Sequence, residues 1–297
     1  MSRNTVEKNG TITYIYDSNV GANSKKAIQQ VFSNIFEKAS KNQEIFNGLS
    51  INVFGNWEES YFADNISDGR MGFTKYPVAD SGKNIYLQTN EYRDLNTSFM
   101  QNNKSNTNII RETTAHEFGH FFDYYFANPD SDITEQLREM YKFGKKYINE
   151  NNEKYNELLE IYRKTNGLSD SEDFIEAWRM DVENEFQGKS KSEILRKTLK
   201  LGYFSPNNIH NDHITNIRIK LEDGIDDGEI ILADRAREEV FAQLFAYAMG
   251  EGNNKKEKEL IITTYPKCYN VVKKYINEFL GINITENSSQ DGLDITM

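Results

Sequence analysis

His116 and His120 stand four residues apart in the stretch HEFGH, with Glu117 beside the first and no proline within the run. On an α-helix, side chains at i and i+4 leave the same face one turn apart, so two neutral imidazole nitrogens at this spacing can share one tetrahedral Zn²⁺. Glu117 lies one residue further round. Its carboxylate reaches the rim of such a site without ligating the ion, where it can take a proton from water acidified by the metal and return it to a leaving amine. The pattern therefore points to zinc-dependent hydrolysis, with His116 and His120 as metal ligands and Glu117 as catalytic base. Gly119 inside the motif lets a second helix come close, at some cost in helix propensity. Asp123 follows His120 by three residues and is placed either to orient a ligand histidine or to stand as a solvated helix acid.

Zinc hydrolase sites carry a third protein ligand and leave a further position to water. The residues after His120 are FFDYYFANPD, with no third histidine at short range, so a carboxylate on a second helix is required. Two stretches offer one. In REEVFAQLFAYAM (237–249), Glu239 shares a helical face with the small residues Ala242 and Ala246 and with Gln243, a strip suited to packing at Gly119. In SEDFIEAWRM (171–180), the candidates are Glu172 and Glu176.

HEFGHFFDYY resembles the active-site helix of the anthrax lethal factor protease domain and the related clostridial Pro-Pro endopeptidases, which are zinc peptidases of the gluzincin type. EVFAQLFAYAMGEG, followed by YPKCYNVVKKYINEFL, is similar to that family's third-ligand helix and closing helix. The resemblance carries the ligand role onto Glu239 and implies a zinc endopeptidase acting on a protein or peptide, of the toxin or effector kind. Two departures stand out. The family joins its two motifs by a short connection, whereas here residues 130–230 intervene, and its members place an oxyanion-steadying tyrosine where this chain has Leu232. That role then falls to His210, His213 or Tyr203. His213 is preferred, because Ile214 and Ile217 can anchor it, and a histidine donor would stabilise a tetrahedral oxyanion. Rival assignments are a zinc amidase or other zinc hydrolase, and a binding protein with a vestigial metal helix. The intact Glu117 speaks against the last, since a purely structural zinc needs no base.

The elements that must position these residues follow from periodicity. TITYIYD (11–17) and LSINVFG (49–55) read as strands flanking a helix over 25–40 capped by Ser24, and MGFTKY and KNIYLQT as two short strands around a turn. GRMGFTKY (69–76), with two glycines, is the candidate edge strand for holding an extended substrate. The motif helix spans 107–127 and stops before Pro129. Residues 130–200 are charged and helix-periodic, an acidic helical insertion suited to a basic partner or to a lid. Residues 201–229 read as loop, and helices at 233–249 and 266–280 close the chain.

The expected fold is thus α+β and zincin-like: an N-terminal sheet and active-site helix (1–129), a helical insertion and loop (130–230), a C-terminal helical subdomain with the third ligand (231–282) and a flexible tail (283–297). At 297 residues, with 18 Phe and 17 Tyr, the chain can bury a sizeable core. A net charge of −11 without a dense basic block argues against general nucleic-acid binding. The single cysteine, Cys268, rules out an internal disulfide framework. No signal sequence or membrane span is legible, so a monomer acting in a reducing cytosol is expected, either where it is made or after export by another route.

Overall fold

The computed structural model describes residues 5–55, 72–74, 83–89, 106–126, 136–137, 139–140, 147, 150–165, 167–206, 214–220, 229–252 and 254–284. They form an α+β fold built on a mixed five-stranded sheet. Strands β1 (Thr5–Asn9) and β2 (Ile12–Tyr16) make a hairpin that turns through Gly10, at φ +60°. β3 (Leu49–Phe54) and β5 (Lys83–Gln88) continue the sheet in parallel, and β4 (Gly72–Thr74) closes it antiparallel to β5, giving the order β1-β2-β3-β5-β4. Strict alternation selects the face that packs inward: Ile12, Tyr14 and Tyr16 on β2 and Leu49, Ile51 and Val53 on β3 are buried.

Helix α1 (Ala22–Lys38) buries Ala27, Ile28, Val31, Phe32 and Ile35, the stripe expected of an amphipathic helix laid on a sheet. Gly21 is its N-cap, and Ser24, expected to cap it, lies inside its first turn and is buried. Helix α2 (Asn106–Tyr125) carries HEFGH, contacts β4 and β5, and meets α1 where the Phe32 ring stands edge-on to Phe118 at 5.6 Å.

The C-terminal half is mainly helical, with α3 (Asn152–Thr165), α4 (Glu172–Phe186), α5 (Lys191–Leu201), α6 (Asp234–Ala248), α7 (Lys255–Thr264) and α8 (Pro266–Tyr275). α4 starts at the Ser171 cap and α5 at a capping box formed by Ser190 and Glu193. Trp178 of α4 stacks on Tyr265 at 5.0 Å, and Asp181 accepts the backbone N–H groups of Lys267 and Cys268 at the start of α8. Phe174, Trp178 and Val182 share one apolar core with the sheet, so α4 is built into the main body.

Several elements escaped the periodicity reading. β1 was not expected, nor was α7. Within 201–229, read as loop, β6 (Ile214–Lys220) pairs antiparallel with β7 (Glu229–Ala233) in a separate two-stranded sheet. β6 (ITNIRIK) intersperses its three Ile with Thr, Asn, Arg and Lys and β7 (EIILA) is only five residues long, weak signals that pairing stabilises only once the two meet. α2 ends at Tyr125, ahead of the stop expected at Asn128, which lies outside the described residues together with Pro129, as do residues 285–297 of the tail. Among the described residues, no helix is long and apolar enough to cross a membrane.

The fold turns on the crossing of α2 and α6. α6 is buried on all sides, with Ala236, Val240, Phe241, Ala242, Leu244, Phe245 and Ala246 fully covered. A Cβ placed on Gly119 would fall 2.8 Å from the Ala242 carbonyl oxygen and 2.9 Å from its Cα. Backbone meets backbone there, and neither can yield. Gly119→Ala is therefore expected to lower stability by about 1–3 kcal/mol through overpacking, although the same change in an exposed helix would raise it by about 1 kcal/mol. A denaturant midpoint that stays put or rises would contradict this packing.

Candidate metal centre

The α2–α6 contact brings three ligand-type side chains to one point. His116 Nε2 lies 3.1 Å and His120 Nε2 3.3 Å from the same Glu239 oxygen, and one donor atom from each of the three falls within 4.8 Å of the others. Ligands about 2.0–2.2 Å from a tetrahedral zinc stand roughly 3.3 Å apart, so this donor set fits such an ion in chemistry, and its two histidine–glutamate separations match that spacing. Glu172 and Glu176 are elsewhere, on the exposed face of α4, where Glu176 pairs with Arg179.

Charge supports the same conclusion. Burial alone would raise the Glu239 carboxyl, but the charge on His120 and hydrogen bonds with both imidazoles hold it well below the usual carboxylate range. Burial alone would lower His120, yet the Glu239, Glu117 and Glu238 carboxylates lift it to about 9. The Glu239 carboxylate therefore stays ionised between the two imidazoles and offers a negative charge to a cation. His116 Nδ1 hydrogen-bonds Gln243 Oε1 at 2.9 Å, and Gln243 Nε2 donates to buried Glu112 at 2.9 Å. With Nδ1 as the donor, this chain orients the His116 ring and leaves Nε2 free to ligate.

Glu117 sits next to the cluster, nearly fully buried, and burial pushes its carboxyl up while both histidines pull it down. β4 lies against it. Thr74 Oγ1 is 2.8 Å from the Glu117 carbonyl and 3.0 Å from Oε2, while a Cβ on Gly72 would fall 2.7 Å from Glu117 Cγ. Gly72 and Thr74 are two residues apart and so share one face of the strand, the face turned to α2.

Asp123 does neither of the jobs anticipated for it. It is fully buried, and it accepts Ser169 N–H at 2.7 Å and Ser169 Oγ–H at 2.8 Å, leaving His120 Nδ1 buried without a hydrogen-bond partner among the described residues. Arg237 donates to the Ser169 carbonyl at 2.9 Å and pairs with Asp170, so this knot ties α2 to the turn before α4 and to α6. Tyr124 stacks on His120 and donates to Glu238, whose carboxyl burial and nearby Asp170 and Asp123 push up to about 8.

Of the oxyanion candidates, His210 and His213 lie outside the described residues. Tyr203 is half-exposed, and its ring stands edge-on to Phe204, whose ring is 6.3 Å from that of His116. Leu232 is in β7, and its side chain is not among those described. Phe204, fixed by the Tyr265 hydroxyl on its carbonyl at 2.7 Å, was not foreseen, and neither was the pairing of Thr74 with Glu117. An aromatic residue after a short turn and a threonine in a strand carry no local signal of such roles. Comparison with protein-family models, with curated protein sequences and with solved structures finds no match to this chain.

Two outcomes are expected. If the cluster holds zinc, Gln243→Ala should weaken its binding about 10–100-fold in competition with a chromophoric chelator, because the His116 ring loses its guide. Burial, reinforced by Asp170, raises Asp123 to about 7 in the folded chain, against about 3.9 when unfolded. Between these values the folded chain holds the extra proton, so Asp123 makes the metal-free protein less stable as pH rises from about 4 to 7, by up to about 1.4 kcal/mol per unit. Asp123→Asn should flatten that slope in urea titrations, and an unchanged slope would exclude the assignment.

Proposed function

We propose that this chain is a zinc-dependent endopeptidase with a zincin-like arrangement, in which a metal-binding helix lies under the edge strand of a mixed sheet and a second helix supplies the third ligand. The observation that carries this reading is the convergence of His116, His120 and Glu239 beside Glu117, a carboxylate that faces the site without belonging to the ligand set. A site that served structure alone would have no use for that fourth group.

His116, His120 and Glu239 would hold the ion, which when bound lowers the pKa of water and polarises a carbonyl. Glu117 accepts the proton of the attacking water and delivers it to the departing amine nitrogen as the peptide bond breaks. Its buried setting, which raises its affinity for a proton, suits the step at which it must carry one. Gln243 keeps His116 aimed, and the half-buried Phe204 ring stands 6.3 Å from the His116 ring on one side of the site. A polypeptide substrate is favoured by β4, the last strand of the sheet among the described residues, which touches the base and is placed where an extended chain could pair with a sheet edge.

Zinc-loaded protein is expected to cut internal bonds in a mixed peptide library. Glu117→Gln should keep one zinc per chain and lose cleavage by at least about 10²-fold. Release of ammonia from side-chain or terminal amides with every internal bond intact would favour an amidase. Full activity of Glu117→Gln would overturn the mechanism.

A further inference from the structure

The strand β4 does more than pass by the site. Its register with β5 pairs Gly72 with Leu87 and Thr74 with Ile85, which places both small residues over the same turn of α2, at Glu117. A hydroxyl has one proton, and two acceptors of the same residue lie within its reach, the Glu117 carbonyl at 2.8 Å and Oε2 at 3.0 Å. At Gly72 the missing side chain makes the space that the glutamate occupies, since a Cβ would meet its Cγ at 2.7 Å and its Oε1 at 2.8 Å. The carboxylate is thereby laid against the strand, with one oxygen tied to Thr74 and the other resting over Gly72.

We propose that Thr74 is a positioning residue for the base: its hydroxyl selects the one orientation of the Glu117 carboxylate that faces the ligand cluster. This rests on the peptidase reading for its consequence, though not for its geometry. A glutamate has three side-chain torsions, and a base must stay within hydrogen-bond reach of the proton it removes. Proximity without a fixed orientation loses much of the rate, and a buried carboxylate has no water shell to restrain it. The Thr74 hydroxyl supplies that restraint from an element other than the one that carries the base, so the sheet edge and the metal helix set the geometry together.

The test compares Thr74→Val, of the same shape without the hydroxyl, with Thr74→Ser, which keeps it. In zinc-loaded protein, Thr74→Val is expected to lower kcat about 10–100-fold, as for loss of a hydrogen bond to a charged group, with KM and zinc affinity unchanged. Thr74→Ser should recover most of kcat. A crystal structure of zinc-loaded Thr74→Val should show the Glu117 carboxylate spread over several orientations. A kcat within about twofold of the parent, no advantage of Ser over Val, or a carboxylate that keeps its orientation would each overturn the proposal. If the unaltered protein cleaves no peptide, the peptidase reading falls by itself, and the carboxylate orientation in the Val variant still decides the role of Thr74.

Discussion

Everything at this centre depends on how closely α2 and α6 approach. Helices separated by ordinary side chains hold their axes 8–10 Å apart, and a glutamate on one then meets the far edge of a histidine on the other. At Gly119 the spacer is missing, and the backbone of Ala242 fills the gap. That contact draws Glu239 onto His116 and His120, and it brings Gln243, one turn along the same face, onto the other nitrogen of His116. Glycine costs about 1 kcal/mol in a helix interior. The packing of Phe118 and Phe122 against Phe245 offsets this, since these rings lie 5.7 and 5.0 Å from it and all three are fully buried.

The second constraint is charge. Glu117, Glu239, Glu238 and Asp123 gather around His116, His120 and Arg237, mostly out of reach of solvent. Burying carboxylates is expensive unless partners share the cost, and here the acids outnumber the bases. The chain manages the excess in two ways. Asp123 and Glu238 are pushed towards the neutral form, and Glu239 is held ionised by the histidines. A divalent cation at the three donors would supply the missing positive charge.

The sheet contributes through its last strand. β4 is only three residues long, yet it meets Glu117 with a glycine and a threonine on one face. Around the opposite side, the knot of Asp123, Ser169 and Arg237 fastens the end of α2 to the start of α4. Elements far apart in sequence thus hold the site from both sides, and the turn at 168–170 belongs to its frame.

Much of this was legible in the residues. The spacing of His116, Glu117 and His120, the small-residue strip beside Glu239 in 237–249 and the glycine between the histidines are local patterns, and helical geometry converts each directly into a face. Strands β2, β3 and β5 and helices α1, α2, α6 and α8 followed in the same way, because period and burial agree within a single element. What the chain order could not reveal is anything made by two elements whose separate signals are weak. The hold of Thr74 on Glu117, the diversion of Asp123 to Ser169 and the seat of Phe204 beside His116 join residues tens of positions apart, and the β6–β7 pair joins two separate strands. Such contacts are chosen by the packing of the whole core, since a hydroxyl or a carboxylate takes whichever partner the fold places within about 3 Å, and sequence spacing carries no record of that distance.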